Sequence, residues 1–305
     1  MLQLECPISD FQVSFDRIFV GDLSGSVHIF DHSLTLISNL NVHKKSIRTI
    51  SLLSDSSFLT SSSSGYLAVT DSNSLKVNSR FKVNIKDPIS CLLPLTSNIL
   101  ACGTDAGTLF VFDLRVQPEN NCVAKFQELA YDYISGILDI SQEFPKSLFV
   151  TSGDGLMSIV DIRRSKILHT NDSNFESEIS CCSFTGPENE YISTFTDSGS
   201  VSIFKSSDLN NSIDTYSTVP NITSCTNISS RLFFSSFDGL ILSFDLNTKS
   251  ISKLHEYENE PINIIKSTVS DNKDCTLFVS FEACLCKHSF RNITESKQKF
   301  FDDID

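Results

Sequence analysis

Apolar and polar residues alternate along short segments of this chain, and these segments recur at a regular distance. Residues 148–161 show the pattern most clearly, with an apolar run, an Asp154-Gly155 turn, a second apolar run and a closing Asp161. Alternation with a period of two is typical of a half-buried strand, and Asp-Gly is a turn dipeptide that joins two antiparallel strands. The segment therefore predicts a β-hairpin.

The same hairpin pattern returns along the whole chain. Its turn position is occupied in seven copies by Gly25, Gly65, Gly107, Gly155, Gly199, Gly239 and Cys284, the last copy being degraded. The intervals between these positions are 40, 42, 48, 44, 40 and 45 residues. A period near 40–45 residues with strand–turn–strand content is that of the WD40 propeller repeat.

Each copy ends in a two-residue slot that is typical of this repeat. The second slot residue is aspartate in five copies, Asp31, Asp71, Asp113, Asp161 and Asp245. The chain has no tryptophan, and phenylalanine fills the first slot position in four copies, Phe30, Phe112, Phe204 and Phe244. A large aromatic ring in this place predicts an apolar plug between neighbouring blades.

A further alternating segment precedes each hairpin and predicts the innermost strand of a blade. These segments are 8–14, 47–53, 89–95, 134–140, 179–184, 222–228 and 262–268. The expected fold class is all-β, a single seven-bladed WD40 β-propeller with four antiparallel strands per blade, over residues 1–291. The expected blades are about 6–44, 45–87, 88–131, 132–177, 178–220, 221–259 and 260–291, and a short acidic tail follows at 292–305.

A propeller must join its first and last blades, because open ends leave unpaired strand edges. The apolar residues 1–4 can supply the outer strand of the last blade. The alternative is closure by residues 291–301 at the other terminus.

The charge balance limits the partners. The 305-residue chain is 40% hydrophobic and carries a formal net charge of -13, which disfavours binding nucleic acid mainly through its phosphates. Direct RNA contact is expected to be local at most.

We expect neither a signal peptide nor a membrane span, because no basic-then-apolar leader and no run of about 18 apolar residues occurs. The ten scattered cysteines are expected to be reduced core residues.

The third and fourth predicted blades resemble a known family. The fourth blade begins with Asp-Tyr-Ile-Ser-Gly at 132–136, and its third strand is followed by Asp-Ile-Arg-Arg at 161–164. The third blade contains Ala-Cys-Gly-Thr-Asp-Ala-Gly at 101–107 and Asp-Leu-Arg at 113–115. These sequence motifs are similar to those of the WD repeat-containing protein 55 family. Members of that family usually carry a lysine-rich C-terminal tail, whereas residues 300–305 are acidic.

The resemblance implies a function and a location. It implies a non-catalytic scaffold in ribosome biogenesis, linked to ribosomal RNA processing and assembly of the large subunit. The implied partners are pre-ribosomal assembly factors, with the chain a monomer within a complex. The implied location is the nucleus and its nucleolus, with the cytoplasm as the alternative.

Two arginines suggest another class of function. Arg115 and Arg163 both lie two residues after a slot aspartate, in consecutive blades. Many WD40 substrate receptors dock onto cullin–RING ubiquitin ligase adaptors through Asp-x-Arg, for which the planar guanidinium fork is suited. In the alternative interpretation each arginine caps a turn or pairs with a neighbouring acid.

Two small basic clusters interrupt the acidic chain. One is formed by Lys44, Lys45 and Arg48, and the other by Arg163, Arg164 and Lys166. Such clusters can meet RNA phosphate or an acidic partner. Solvated charge on the rim of the ring is the favoured interpretation.

The remaining motifs predict structure rather than chemistry. Cys284, Cys286 and His288 alternate on one strand face, where neighbours about 6.5–7 Å apart converge poorly on one metal ion, so strand packing is favoured. No catalytic constellation stands out, and we predict no enzyme, cofactor or metal. The hypotheses are therefore a ribosome-biogenesis scaffold, a ligase substrate receptor, and a propeller that reads histones or peptides.

Overall fold

The computed structural model describes residues 1–83, 87–117, 121–171, 177–258, 260–269 and 275–290. Within these ranges the chain forms seven four-stranded antiparallel sheets and one short 3₁₀ turn, Pro187–Asn189. The sheets are the blades of a β-propeller, which confirms the predicted fold class. Across the same ranges, no helix has the length and apolar character needed to cross a membrane.

Each of the first six blades uses four consecutive strands. The first three blades comprise β2 (Ile8–Val13), β3 (Ile18–Asp22), β4 (Ser26–Phe30) and β5 (Leu36–Asn41); β6 (Ile47–Ser54), β7 (Ser57–Ser62), β8 (Tyr66–Asp71) and β9 (Val77–Lys82); β10 (Ile89–Pro94), β11 (Ile99–Thr104), β12 (Leu109–Asp113) and β13 (Cys122–Phe126). The next three comprise β14 (Ile134–Asp139), β15 (Ser147–Ser152), β16 (Met157–Asp161) and β17 (Lys166–Asn171); β18 (Ile179–Thr185), β19 (Tyr191–Thr196), β20 (Ser200–Lys205) and β21 (Asp208–Ser217); β22 (Ile222–Ile228), β23 (Arg231–Ser236), β24 (Leu240–Asp245) and β25 (Ser250–Glu256). The seventh comprises β26 (Ile264–Val269), β27 (Cys275–Phe281), β28 (Cys284–Phe290) and β1 (Leu2–Gln3).

The two middle strands of a blade are covered on both sheet faces by neighbouring blades. All six residues of β15 and all five of β16 are buried, whereas the outer strand β17 is mostly exposed. This double burial explains why the middle strands are near-continuous apolar runs in the sequence.

The hydrophobic core is divided among the junctions between blades. Each of seven apolar clusters joins residues of two adjacent blades. The slot phenylalanines Phe30, Phe112, Phe204 and Phe244 are all buried in such clusters. The predicted apolar plug is therefore confirmed at these four positions.

The N-terminal strand completes the seventh blade. Leu2 pairs with Leu285 and Gln3 with Cys284, and the Leu4 amide donates to the Ala283 carbonyl at 2.8 Å. An apolar cluster that includes Phe11 and Phe278 packs the first blade against the seventh. The alternative closure by residues 291–301, and the acidic tail, lie outside the described residues.

The seventh hairpin turns differently from the other six. Phe281 pairs with Cys284, so the turn is the two-residue Glu282-Ala283, and Glu282 has a φ of 45°. The assignment of Cys284 to the glycine position is therefore wrong, because this residue already begins β28. The innermost strand of this blade also begins at Ile264 rather than at 262.

The antiparallel strands give the ring two faces. We call "glycine face" the one formed by the second-to-third-strand turns and by the connectors from an outer strand to the next blade; the other is the "opposite face". Turns and connectors of the glycine face are joined by backbone hydrogen bonds. At Gly239, φ is 84°, its carbonyl accepts the Tyr257 amide at 2.9 Å, and an added Cβ would lie 2.1 Å from the Tyr257 oxygen.

Candidate interaction surfaces

The six predicted partner-binding residues lie on two different faces. Lys44 and Lys45 belong to the connector between β5 and β6, and Arg48 is the second residue of β6, so all three are on the glycine face. The other three, Arg115, Arg163 and Arg164, follow third strands of blades and are on the opposite face. The structure therefore does not bring the six together in one site.

Arg115 pairs with the aspartate of its own repeat. Its backbone amide and Nε donate to Asp113 Oδ1 at 3.0 and 2.9 Å, and Nη2 donates to Oδ2 at 2.6 Å. These hydrogen bonds lower the pKa of Asp113 to about 2. The Arg115 side chain is still 66% exposed, so the pair lies open to solvent at the rim.

The next blade repeats the turn with a different side-chain arrangement. Asp161 Oδ1 accepts the backbone amides of Arg163 and Arg164 at 2.9 and 3.0 Å. The Arg164 guanidinium lies 3.7 Å from the same carboxylate. Within the described part of the chain, the exposed Arg163 side chain forms no ion pair. Arg163 is thus the more available of the two Asp-x-Arg guanidinium groups.

Arg48 links the second blade to the third. It is the extra residue of a β-bulge between Ile47 and Thr49, and a bulge redirects the side chain that it contains. The Arg48 Nη2 lies 2.9 Å from both carboxylate oxygens of Asp105, in the turn of the next blade, and Nε lies 3.5 Å from the Ile89 carbonyl. The other bulges of this kind hold serine or threonine, Ser9, Ser90, Ser135, Ser180 and Thr223.

Sequence reasoning missed this pair because its members are 57 residues apart. The one available signal was the arginine itself, which stands where five of the other repeats have a small hydroxyl residue. The predicted basic cluster is thereby reduced to Lys44 and Lys45, which are exposed.

His43 and Asp154 hold connectors against their blades. The His43 Nε2 lies 2.8 Å from Thr60 Oγ1, and burial, with a smaller effect of Arg80, lowers the histidine pKa to about 4. Asp154 Oδ2 accepts the Tyr131 backbone amide at 2.6 Å. Both residues therefore have structural roles at the glycine face.

The alternating Cys284, Cys286 and His288 pack within the seventh blade. His288 Nε2 lies 2.5 Å from the Tyr257 hydroxyl, and burial lowers the histidine pKa to about 4. In the described ranges, no group of three His, Cys, Asp or Glu side chains is arranged to hold a metal ion. All ten cysteines are free thiols.

Negative charge is concentrated on the glycine face. Its described turns and connectors carry Glu5, Asp87, Asp105, Glu128, Asp132, Asp154, Glu178, Asp197, Asp238, Glu258, Glu260 and Glu282, against Lys44 and Lys45. The described loops of the opposite face mix both signs, with Asp16, Asp31, Asp55, Glu143, Glu188 and Glu190 beside Arg17, Arg115, Lys146, Arg163, Arg164 and Lys249. The net charge alone did not predict this division, which follows from the strand order.

Exposed aromatic rings accompany the acids on the glycine face. Tyr131, in the connector to the fourth blade, is 95% exposed, and Phe237, in the turn of the sixth, is 57% exposed. Large rings in water beside carboxylates are typical of a surface that binds partners. The glycine face therefore offers a candidate surface on which exposed rings and carboxylates are combined.

Comparison with known proteins supports the resemblance seen in the sequence. No protein-family model matches the chain. The chain is similar to the WD repeat-containing protein 55 homologs of Drosophila erecta and Drosophila melanogaster, each 30% identical over 186 residues, which is 59% of this chain and 36% of the relative. WD repeat-containing protein 55 of Arabidopsis thaliana is 28% identical over 163 residues, 52% of this chain and 44% of that protein. The predicted resemblance is confirmed, and the matched part spans less than half the length of these relatives.

Proposed function

We propose that this propeller is a non-catalytic scaffold that holds protein partners during ribosome biogenesis, in ribosomal RNA processing and large-subunit assembly. The observation that carries the scaffold function is the ring itself, whose seven inter-blade cores fix turns and loops on two faces of different charge. Rigid loops on a propeller are suited to several partners at once.

The ribosomal part of the proposal is supported by the similarity to WD repeat-containing protein 55 relatives. The proposed partners are pre-ribosomal assembly factors, and the proposed location is the nucleus, with the nucleolus as the main compartment. The acidic glycine face fits this setting, because proteins that bind ribosomal RNA carry basic segments that complement it.

Sedimentation with affinity purification tests this function. We expect the tagged full chain to co-sediment with pre-60S particles in a sucrose gradient, and its purification to recover large-subunit assembly factors above an untagged control. A chain that stays in the light fractions and recovers none of these factors would rule out the ribosomal function.

Arg163 favours a second candidate function, that of a substrate receptor for a cullin–RING ligase. The Arg163 side chain is exposed, and the exposed Arg115 lies on the same face in the preceding blade. We expect such a receptor to recover the cullin adaptor and to lose it in R115A/R163A. The matched control is K76A/K205A, which removes the same charge from exposed positions near that face but outside the cluster of Arg163. Wild-type protein that recovers no adaptor excludes this candidate.

A further inference from the structure

An open groove lies on the glycine face beside the turn of the sixth blade. It is lined by Phe237 and Asp238 of that turn, Glu256 at the end of β25, and Glu258 and Pro261 of the connector to the seventh blade. Its volume is about 580 Å³, which is ample for one or two side chains of a bound peptide. Its walls combine an aromatic ring and a proline with three carboxylates.

Backbone hydrogen bonds of the turn hold the Phe237 side chain in solvent. Its amide donates to the Asn221 carbonyl at 2.8 Å, and the Gly239 carbonyl on the other side of the turn accepts the Tyr257 amide at 2.9 Å. The same position in the other turns holds Leu23, Ser63, Asp105, Gly153 and Asp197. The sixth turn is therefore distinguished by an aromatic ring that is 57% exposed.

Two of the groove carboxylates lack an internal cation. Glu256 forms an ion pair with Lys253 of β25. Asp238 and Glu258 form no ion pair with any residue that the structure describes. Carboxylates beside the face of an aromatic ring attract guanidinium and ammonium groups through charge and through the ring quadrupole.

The third blade shows how a guanidinium fits at this register. Asp105 occupies the same turn position as Phe237, two residues before the turn glycine, and binds Arg48 with both oxygens at 2.9 Å. There the cation comes from the neighbouring blade of the same chain. At the sixth turn the preceding blade is the fifth, and its equivalent bulge position holds Ser180, so no cation comes from that position.

We propose that this groove binds a segment rich in lysine and arginine from a partner protein. One basic side chain lies over the Phe237 ring, and the next pairs with Asp238 and Glu258. The positive charge of such a segment complements Asp238 and Glu258, which identifies the occupant as a basic segment of another protein. The inference rests on the proposed scaffold function and adds the chemistry of the partner.

Fluorescence anisotropy with purified full-length protein tests the groove. The probe is a labelled peptide of alternating Arg, Lys and Ser. We expect D238N/E258Q to weaken its binding about fivefold, and Phe237→Ala about threefold. Phe237→Leu, which keeps an apolar side chain without the ring, is expected to weaken binding of the peptide nearly as much as Phe237→Ala.

The matched control is D197N/E128Q, which removes two exposed charges from the same face outside the groove. We expect it to leave the affinity for the peptide within about twofold of wild type. If both double variants weaken peptide binding equally, the charge of the whole face binds the peptide and the groove is not a specific site. Unchanged peptide binding in D238N/E258Q would also overturn the proposal that the groove is the binding site.

Two further probes complete the test. We expect a peptide with citrulline for Arg and glutamine for Lys to lose binding, and a labelled RNA of similar length to show no binding that depends on Asp238 and Glu258. Peptide binding that survives the loss of charge would exclude recognition of cations. The titration uses no ribosomal particle. A negative titration therefore contradicts only the groove, whereas a failure to co-sediment with pre-60S particles contradicts the ribosomal function.

Discussion

Two phenylalanines of the sixth blade show that position, not residue type, decides burial. Phe244 lies in the slot of β24 and is fully buried between the fifth and sixth blades. Phe237, seven residues earlier, sits in the turn and is 57% exposed. The first residue stabilises the ring, whereas the second is available to a partner.

Truncation of the two rings should separate these roles. We expect Phe244→Ala to lower the free energy of unfolding by about 3–5 kcal/mol, because it leaves a cavity in an inter-blade core. We expect Phe237→Ala to change it by no more than about 0.5 kcal/mol. Urea unfolding of both variants checks this, and a large loss for Phe237→Ala would mean that the ring packs against the blade.

Buried His43 should make the stability depend on pH. The folded state resists protonation until about pH 4, whereas the unfolded chain takes up the proton near the ordinary histidine pKa of about 6.5. The contribution of neutral His43 is therefore complete above about pH 6.5 and is lost as the pH falls toward 4.

The variant His43→Gln isolates this effect, because it lacks the titrating ring and retains a group that can hydrogen bond to Thr60. Between about pH 7 and pH 5, we expect the wild type to lose about 1–2 kcal/mol more stability than the variant. The measurement is urea unfolding of both proteins at the two pH values. Parallel pH profiles would show that His43 does not carry the dependence.

The contacts of individual side chains were the least predictable feature of the candidate surfaces. The sequence contained Arg48 and Asp105, yet nothing in their spacing indicated that a β-bulge directs Arg48 to the turn of the next blade. In contrast, the Asp154-Gly155 turn followed from Asp-Gly chemistry and is confirmed, because the Leu156 amide of the same hairpin donates to Asp154 Oδ1 at 3.3 Å. Local chemistry was predictable, whereas contacts between blades needed the three-dimensional register.

At the scale of elements, repetition made the strands predictable. Six copies share a turn glycine with positive φ, and their common interval identified the hairpins even without tryptophan. The seventh copy had no such signal, because its turn is the two-residue Glu282-Ala283. Its innermost strand was placed two residues early, at 262 instead of Ile264.

Strand β1 is the element on which ring closure depends. Leu2 and Leu4 pack toward the cluster between the first and seventh blades, whereas Gln3 is exposed. We expect L2D/L4D to lower the free energy of unfolding by about 2–4 kcal/mol and to promote aggregation through the exposed edge of β28. The matched control Gln3→Asp, on the solvent side of the same strand, should cost about 0.5 kcal/mol at most.

Hydrogen exchange provides the measurement for this closure. We expect amides of Cys284–Phe290 to exchange faster in L2D/L4D, while amides of the third-blade strand Ile99–Thr104 keep their protection. Unchanged exchange in β28 would show that the seventh blade holds together without β1. Loss of protection throughout the ring would show that closure governs the whole fold cooperatively.

At the scale of the whole molecule, the order of the strands distributes the charged residues of this acidic chain over two faces that differ in charge. Turns and connectors on the glycine face carry mostly carboxylates, while loops on the opposite face mix both signs. A ring with this division can bind basic and acidic partners on different faces at once. The propeller was predictable from its repeats, but the division was not, because it emerges only when turns from seven blades are brought to one side.

The division also decides how the exposed Lys44 and Lys45 behave toward RNA. Both lie on the face dominated by carboxylates, and the nearby Arg48 is engaged by Asp105. Phosphate binding requires a positive local potential, which two lysines in this setting do not provide. We therefore expect no saturable binding of a labelled single-stranded RNA near physiological salt, by anisotropy, and no difference between wild type and K44A/K45A. Saturable binding that disappears in K44A/K45A, but persists in the charge-matched K76A/K205A, would show that this local cluster overcomes the acidic face and contacts RNA.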